Sequence, residues 1–529
     1  MPKEKQQTFL GATATLGIAV ILVKLIGAIY KIPLGNIIGR DGMTHFNAAY
    51  KIYAVLLSLS TAGLPVALSK LVAESRALGK YNQSRRLLRA SLRLFTAIGL
   101  AGTAVMFFFT RQLAAMMHNS LAYWPIKALS FSVLCCCIMS AFRGYTQGCE
   151  NMVPSAVSQV IEAVFKLAAG LALAWYLISA GAGVEIGAAG AIAGVTISSA
   201  LGLLYMVYDY LRTRGNTPRG SDRPASNGVL LRRILTIGIP ITIGASGMSI
   251  ITLVDQSLIM GRLQSVLGLT EEAAALLNGE YEFGMTLFNL PSSFVPPITM
   301  SLIPAVSAAL TRRDHKRVGK IINTSLRLTT LLAFPAGVGL SVLAGPILTL
   351  LYPKQPEAAL AATYHLQILG VASVFVCIML LTNAILQAYG LAQIPIGTMF
   401  IGGIVKVVAN FFLVGNPEIN IKGAPVGTIL CYIVIAVLNL IVVGLVMAKR
   451  PSYMQLFLKP AVATAAMAVT AKFGYRLLSG LGNSLATLGA IAAAALVYLI
   501  LVLALRIITR EDLELLPHGD RLARILRVR

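Results

Sequence analysis

The sequence predicts an all-α polytopic membrane protein with about fourteen transmembrane helices, arranged as two six-helix parallel repeats and a final helix pair. Three observations carry this reading. First, 57% of the 529 residues are hydrophobic and only 12% are charged, and the mean hydropathy is +0.78; soluble domains carry about 25% charge. Second, apolar stretches of ~20 residues recur along the chain, the length that crosses ~30 Å of hydrocarbon at ~1.5 Å per residue. Third, the basic residues gather in every second loop, as in cytoplasmic loops of membrane proteins.

The apolar periodicity places spans at 9–32, 46–72, 91–110, 122–146, 154–179 and 187–211. After a break they resume at 230–260, 281–310, 321–351, 361–388, 394–415 and 422–448, and the last two cover 457–478 and 484–506. Lys3 and Lys5 precede the first span. No small-residue cleavage site follows them, so this segment is expected to remain as the first helix. The loop after the second span holds Lys70, Arg76, Lys80, Arg85, Arg86, Arg89 and Arg93, and similar clusters follow the sixth, eighth and twelfth spans. The tail adds Arg506, Arg510, Arg521, Arg524, Arg527 and Arg529. Thirty of the 44 lysines and arginines fall in these places, whereas loop 180–186 has none. The formal charge of +24 is therefore a topology signal and does not favour nucleic acid. It predicts a multi-pass protein of the cell membrane with both termini cytoplasmic.

Residues 213–228, TRGNTPRGSDRPASNG, are rich in Gly, Pro, Ser and charge and read as a flexible cytoplasmic linker. The expected organisation is an N-lobe over 1–212, the linker at 213–228, a C-lobe over 229–450, a helix pair over 451–507 and a basic cytoplasmic tail over 508–529. The two sides of the linker share polar landmarks in the same order. Ile38-Gly39-Arg40 matches Met260-Gly261-Arg262, and Leu64-Pro65-Val66-Ala67 matches Ile303-Pro304-Ala305-Val306. Ser91-Leu92-Arg93-Leu94 recurs unchanged as Ser325-Leu326-Arg327-Leu328. Gln147 precedes Lys166 by nineteen positions, and Gln387 precedes Lys406 by the same interval. Gly190-Ala191-Ile192-Ala193-Gly194 pairs with Gly423-Ala424-Pro425-Val426-Gly427. Shared apolar composition does not produce matched polar positions in order, so the pattern indicates internal duplication. An even number of helices per repeat gives both halves the same topology, enclosing a central cavity.

Charges within the spans mark candidate sites, since each costs ~2.5–3.5 kcal/mol near the bilayer centre unless paired or hydrated. The candidate substrate-binding residues are Lys24, Lys31, Arg40, Lys51, Lys166 and Lys406. Glu162, Asp255 and Glu282 are candidates for ion coupling or charge pairing. Glu162 and Lys166 stand at i, i+4 in the order that favours a helical ion pair, so mutual neutralisation is the plain alternative. Lys31, Lys51, Arg143 and Glu280 lie near expected span ends, where snorkelling to the headgroups is the alternative, favoured for Arg143. Asp255 is a candidate cation site or partner for Lys24. More lysines than acids in the spans favour an anionic substrate such as a phosphate or pyrophosphate. Pro65, Pro291, Pro296 and Pro304 are candidate gating positions, because proline removes a backbone hydrogen bond and kinks a helix.

Val23-Lys24-Leu25-Ile26-Gly27, Ile38-Gly39-Arg40, the Gly63-Leu64-Pro65 turn and the 6 + 6 + 2 layout resemble the multidrug/oligosaccharidyl-lipid/polysaccharide (MOP) exporter superfamily. Within it the chain is most similar to the stage V sporulation protein B branch of polysaccharide-biosynthesis membrane proteins, itself similar to MurJ-type lipid II flippases. The resemblance implies a flippase that moves a lipid-linked sugar precursor to the outer leaflet, with polyprenyl pyrophosphate as carrier. It implies a cavity role for Lys24, with Lys31 near a second basic position. The chain departs from those flippases at Met285-Thr286-Leu287-Phe288-Asn289-Leu290-Pro291, which lacks their arginine, and near Asn47, which lacks their early acidic residue. The last two helices resemble the pair that holds the lipid tail.

A cation-coupled exporter of the same fold, driven by Na+ or H+, is the second expectation and would lean on Asp255, Glu282 and Glu162. A membrane enzyme is disfavoured. His45, His118, His315, His365 and His518 are scattered, no acid–base or metal constellation is visible, and the six cysteines show no CxxC spacing. No Gly-rich phosphate loop points to ATP, and no cofactor is expected.

Overall fold

The computed structural model describes residues 9–213, 220–447, 453–505 and 507; the side chains of residues 9–21, 24, 25, 28, 244, 245 and 453–455 lie outside that description. Among the described residues the chain is helical, without strands. Among the described residues twelve helices are long and apolar enough to cross a membrane, or up to thirteen with one bent pair counted as a span; the first span expected, at 9–32, lies largely outside those described with their side chains. The two spans expected at 9–32 and 46–72 correspond to two helices that meet at a kink; together they are labelled α1 (Phe9–Thr61). Its one interruption is Gly39, at φ 71° and ψ −177°, a backbone conformation that a residue with a Cβ rarely adopts.

The chain forms two compact units, Met1–Gly279 and Glu280–Arg529. The first contains α1, α2 (Leu64–Ala77), α3 (Tyr81–Phe108), α4 (Thr110–Met116), α5 (Tyr123–Gly148), α6 (Val153–Ser179), α7 (Val184–Thr213) and α8 (Asn227–Ser265). Helix α9 (Glu271–Phe288) spans the junction. The division by contacts thus falls later than the linker. Helix α8, the first of the second sequence repeat, packs on α1, α2 and α3.

The second unit continues with α10 (Val295–Thr311), α11 (His315–Val342), α12 (Ala344–Leu351), α13 (Pro356–Ala361), α14 (Thr363–Ala388), α15 (Gln393–Val414), α16 (Gly423–Val446), α17 (Tyr453–Leu478) and α18 (Asn483–Ala504). Its core joins α10, α11, α14 and α16 through Leu302, Val306, Ile322, Cys377, Leu381, Ile385 and Val443. Asn439 ties three of its helices together. Its amide donates to Thr382 Oγ1 at 3.2 Å and to Asn383 Oδ1 at 2.7 Å, and its Oδ1 accepts from Thr398 Oγ1 at 2.8 Å. Without water to compete, such bonds between helices help fix their register.

Several prolines begin helices rather than kink them. Pro65, Pro154, Pro296 and Pro356 occupy first turns, where the missing N–H would have had no intrahelical partner. Pro291 opens a 3-10 turn over Pro291–Phe294 that separates α9 from α10. Pro240, Pro304, Pro335 and Pro460 lie inside helices.

Two of these interior prolines explain how the last helix pair is fastened. Pro335 has no N–H for the carbonyl of Leu331, and the Tyr498 hydroxyl of α18 donates to that carbonyl at 2.9 Å. Pro460 leaves the carbonyl of Leu456 free in the same way; Thr330 Oγ1 of α11 lies 3.2 Å from it and shares its proton with the Arg327 carbonyl, at 2.9 Å. Each carbonyl freed by a proline therefore lies within hydrogen-bond reach of a hydroxyl from another helix. Tyr498→Phe is expected to cost about 1–2 kcal/mol of stability. The loss should shrink in a Pro335→Ala background, where the backbone regains the missing N–H; a double-mutant cycle in detergent checks this.

Residues 220–227, expected within a flexible linker, are held against the start of α3. The residue before this helix, Lys80, gives it no side-chain cap. Asp222 supplies one from a distance: Oδ1 accepts from the Asn82 N–H at 2.9 Å and Oδ2 from the Gln83 N–H at 2.8 Å. The Asn82 amide donates to the Gly220 carbonyl at 2.6 Å, and Arg86 Nε to Asn227 Oδ1 at 2.9 Å. A carboxylate at a helix N-terminus satisfies orphan donors and meets the positive end of the dipole. Desolvation pushes the Asp222 carboxyl up, but the two amide bonds and nearby Lys80 outweigh it and hold it below its usual range. A lowered folded pKa means that this stabilisation is present above the ordinary value of ~3.9 and is lost as pH falls through the folded value. Asp222→Ala should therefore speed hydrogen exchange at Asn82 and Gln83 at neutral pH, leaving α6 unchanged. The effect should fade as pH falls through the folded value of the Asp222 carboxyl.

Candidate functional site

The repeat motif has a packing role in both units. A Cβ on Gly194 of α7 would overlap the backbone of Gly170 on α6, and one on Gly427 of α16 would overlap the Asn410 amide on α15. Gly170 stands four residues after Lys166, and Asn410 four residues after Lys406. Small residues let helix backbones approach closely. The same close crossing therefore sits one turn beyond each repeat lysine.

In the first unit this crossing borders a cavity of about 230 Å³, lined among others by Tyr50, Tyr53, Arg143, Gln159, Glu162 and Lys166. Helix α6 supplies one wall because Ser155, Ser158, Gln159, Glu162 and Lys166 form a polar stripe at helical spacing. Helix α5 contributes Arg143, and the second half of α1 contributes Tyr50 and Tyr53.

The charges pair differently from the i, i+4 expectation. Glu162 Oε2 forms an ion pair with Arg143 Nη2. Arg143 Nε also donates to Ser158 Oγ at 2.9 Å. Arg143 therefore does not snorkel: a carboxylate and a hydroxyl on the adjacent helix satisfy the guanidinium within the unit. Lys166 Nζ instead lies over two aromatic rings, 5.5 Å from the centroid of Tyr30 and 5.7 Å from that of Tyr50, an attraction worth ~0.5–2 kcal/mol. Among the described residues the cavity thus carries two cations and one carboxylate. Behind it, Ser132 Oγ lies 2.9 Å from Ser199 Oγ and donates to the Tyr53 hydroxyl at 3.2 Å.

Lys31 and Lys51 sit inside the two helices of α1, one before and one after the Gly39 kink. Lys31 Nζ donates to Asn47 Oδ1 at 3.1 Å, and Lys51 Nζ donates to Gln256 Oε1 on α8. Arg40 follows the Gly39 break, and Gly279 packs directly on its carbonyl. Thr44 Oγ1 reinforces this region by donating to the Ala275 carbonyl at 2.7 Å. Asp255, on α8, is buried. The Lys24 side chain lies outside the described residues, and with it any pairing to Asp255. Lys406 is buried on α15 and Glu282 is buried on α9, both in the second unit. Of the residues expected at a site, Lys166 and Glu162 share this cavity. Tyr50, Tyr53 and Gln159 were not anticipated; for Gln159, the stripe along α6 was a usable signal.

Comparisons with known proteins agree with this architecture. The family model described as "Polysaccharide biosynthesis protein" matches residues 10–310, and one described as MatE matches residues 279–412. Stage V sporulation protein B of Bacillus subtilis (strain 168) is 26% identical over 521 residues, covering 98% of this chain and 99% of that protein. Lipid II flippase MurJ of the same organism is 25% identical over 464 residues, covering 83% of this chain and 82% of that protein. A solved structure of lipid II flippase MurJ in an inward closed conformation superposes with a TM-score of 0.72 at 16% identity, covering 93% of this chain and 98% of that one. This multi-pass membrane protein therefore belongs to the polysaccharide biosynthesis protein family, in the stage V sporulation protein B/MurJ-like branch of the MOP exporter superfamily.

Proposed function

We infer that the protein is a flippase for an anionic lipid-linked sugar precursor, either lipid II or a polyprenyl-pyrophosphate-linked oligosaccharide. It would carry the precursor from the inner to the outer leaflet by alternating access between an N-lobe (1–212) and a C-lobe (229–450), with both termini cytoplasmic. The cavity lysines would hold the charged headgroup, and helices α17 and α18 the lipid tail. Pro65, Pro291, Pro296 and Pro304 would serve the gating motion.

The observation that carries this reading is Lys166, held over Tyr30 and Tyr50 in a cavity with a surplus positive charge. Its volume of about 230 Å³ is below the ~300–1,000 Å³ of pockets that enclose a drug-sized molecule. It suits a phosphate or pyrophosphate group rather than a glycan. The similarity to a MurJ flippase over most of both chains supports the same substrate class.

The test is reconstitution in vesicles with a fluorescent polyprenyl-pyrophosphate disaccharide. Wild-type protein should move the lipid across the bilayer, and Lys166→Ala should slow it at least tenfold. Failure to move any pyrophosphoryl lipid would sink the reading. Drug efflux that follows a Na+ or H+ gradient would favour the cation-coupled exporter, for which the MatE match over 279–412 is the supporting observation.

A further inference from the structure

The cavity of the first unit contains its own anion. Arg143 and Lys166 are both suited to a phosphoryl oxygen, yet Glu162, one helical turn before Lys166, occupies the guanidinium. Arg143 presents a planar fork of N–H donors that fits two oxygens of a carboxylate or a phosphate equally well. A phosphoryl group reaching this cavity meets Lys166, whose ammonium lies over two rings, and an arginine already engaged. The Ser158 contact fixes Arg143 Nε at 2.9 Å and leaves the Nη edge as the place where two anions would compete.

We propose that Glu162 is a displaceable counter-ion, an internal competitor that masks Arg143 in the empty site and must yield it when a phosphoryl or pyrophosphoryl group binds with Lys166. The inference rests on the headgroup-binding reading above and adds what sets the strength of that site. A transporter's site has to release as well as bind. An arginine and a lysine acting together on a pyrophosphate would hold it tightly, and a carboxylate that reclaims the arginine weakens the bound state and speeds departure. Glu162 is placed for the exchange. Once freed from Arg143 it remains on the cavity wall, four residues from Lys166 and in the helical order that favours their contact.

The test measures binding of inorganic pyrophosphate to the full chain in nanodiscs by calorimetry, at fixed ionic strength. Lys166→Gln should weaken binding about tenfold, and Glu162→Gln should strengthen it about tenfold, the worth of one charge-assisted hydrogen bond. Equal binding by wild type and Lys166→Gln would overturn the headgroup site itself. Loss in Lys166→Gln without gain in Glu162→Gln would overturn only the counter-ion. If Glu162→Gln does not fold, the double variant Arg143→Gln/Glu162→Gln decides. Masking of Arg143 predicts affinity within threefold of wild type, and a greater fall overturns the proposal. A polyprenyl pyrophosphate incorporated in the nanodisc identifies the source of the group: it displaces the soluble probe if the ligand is lipid-linked and leaves it bound if the ligand is free pyrophosphate.

Discussion

Arg143→Gln is expected to destabilise the protein by about 3 kcal/mol, because it leaves the Glu162 carboxylate facing the cavity without its partner. Removing one member of a buried ion pair costs ~3–5 kcal/mol, most of it the desolvation of the survivor. The side chains here retain 17% and 22% of their exposure, so the lower end applies. The Ser158 hydroxyl also loses the Arg143 Nε–H donor. Neutralising both members in Arg143→Gln/Glu162→Gln should restore most of the loss, since two amides can bond to each other across the α5–α6 contact. Reversible SDS titration of wild type, both single variants and the double variant gives the coupling energy. Independent, additive effects would show that the pair contributes little.

The second large effect is expected at the repeat glycines, and it should differ between the two units. Gly194→Ala would drive a methyl group into the backbone of Gly170, which cannot rotate away without moving α6. Overpacking of this kind costs ~1–3 kcal/mol, and the upper value is expected. Gly427→Ala meets the Asn410 side-chain amide instead. A side chain can turn aside, so the cost should stay below about 1.5 kcal/mol. Thermal unfolding of the two variants in one detergent checks the difference. Equal melting shifts would mean that Asn410 is held as firmly as the α6 backbone. Gly194→Ala should also disturb Lys166, one turn from the crossing, so its binding of pyrophosphate should weaken together with its stability.

Much of the fold was legible because lipid imposes long apolar helices and confines lysine and arginine to one set of loops. The duplication was legible as well, since Lys166 and Lys406 keep the same interval from their glutamines and the glycine motifs recur in order. The same pattern read less well at helix ends. The spans expected at 9–32 and 46–72 meet at the Gly39 kink, but the second is broken again after Thr61, where α2 starts at Leu64. Apolar periodicity also could not separate a proline that starts a helix from one that bends it. Pro65 and Pro335 look alike in sequence, and only the second leaves a carbonyl that another helix must satisfy. Composition marked 213–228 as a linker, but the clamp of Asp222 on Asn82 and Gln83 joins residues about 140 positions apart. No local pattern signals such a contact.

The candidate site shows the same division. The sequence alone determined that ionisable residues lie within apolar spans, that cations outnumber acids there, and that two lysines hold equivalent positions in a duplicated chain. These follow from residue type and spacing, which one-dimensional order records completely. Only the tertiary structure decided which charge meets which. Spacing along α6 favoured Glu162 with Lys166, but the carboxylate goes to Arg143 on α5, and Lys166 rests on the rings of Tyr30 and Tyr50 from α1. The physical reason is that an i, i+4 ion pair is worth only ~0.2–0.5 kcal/mol. In a water-poor interior, a fixed guanidinium on a neighbouring helix wins that competition easily, and helix packing alone determines where that neighbour stands.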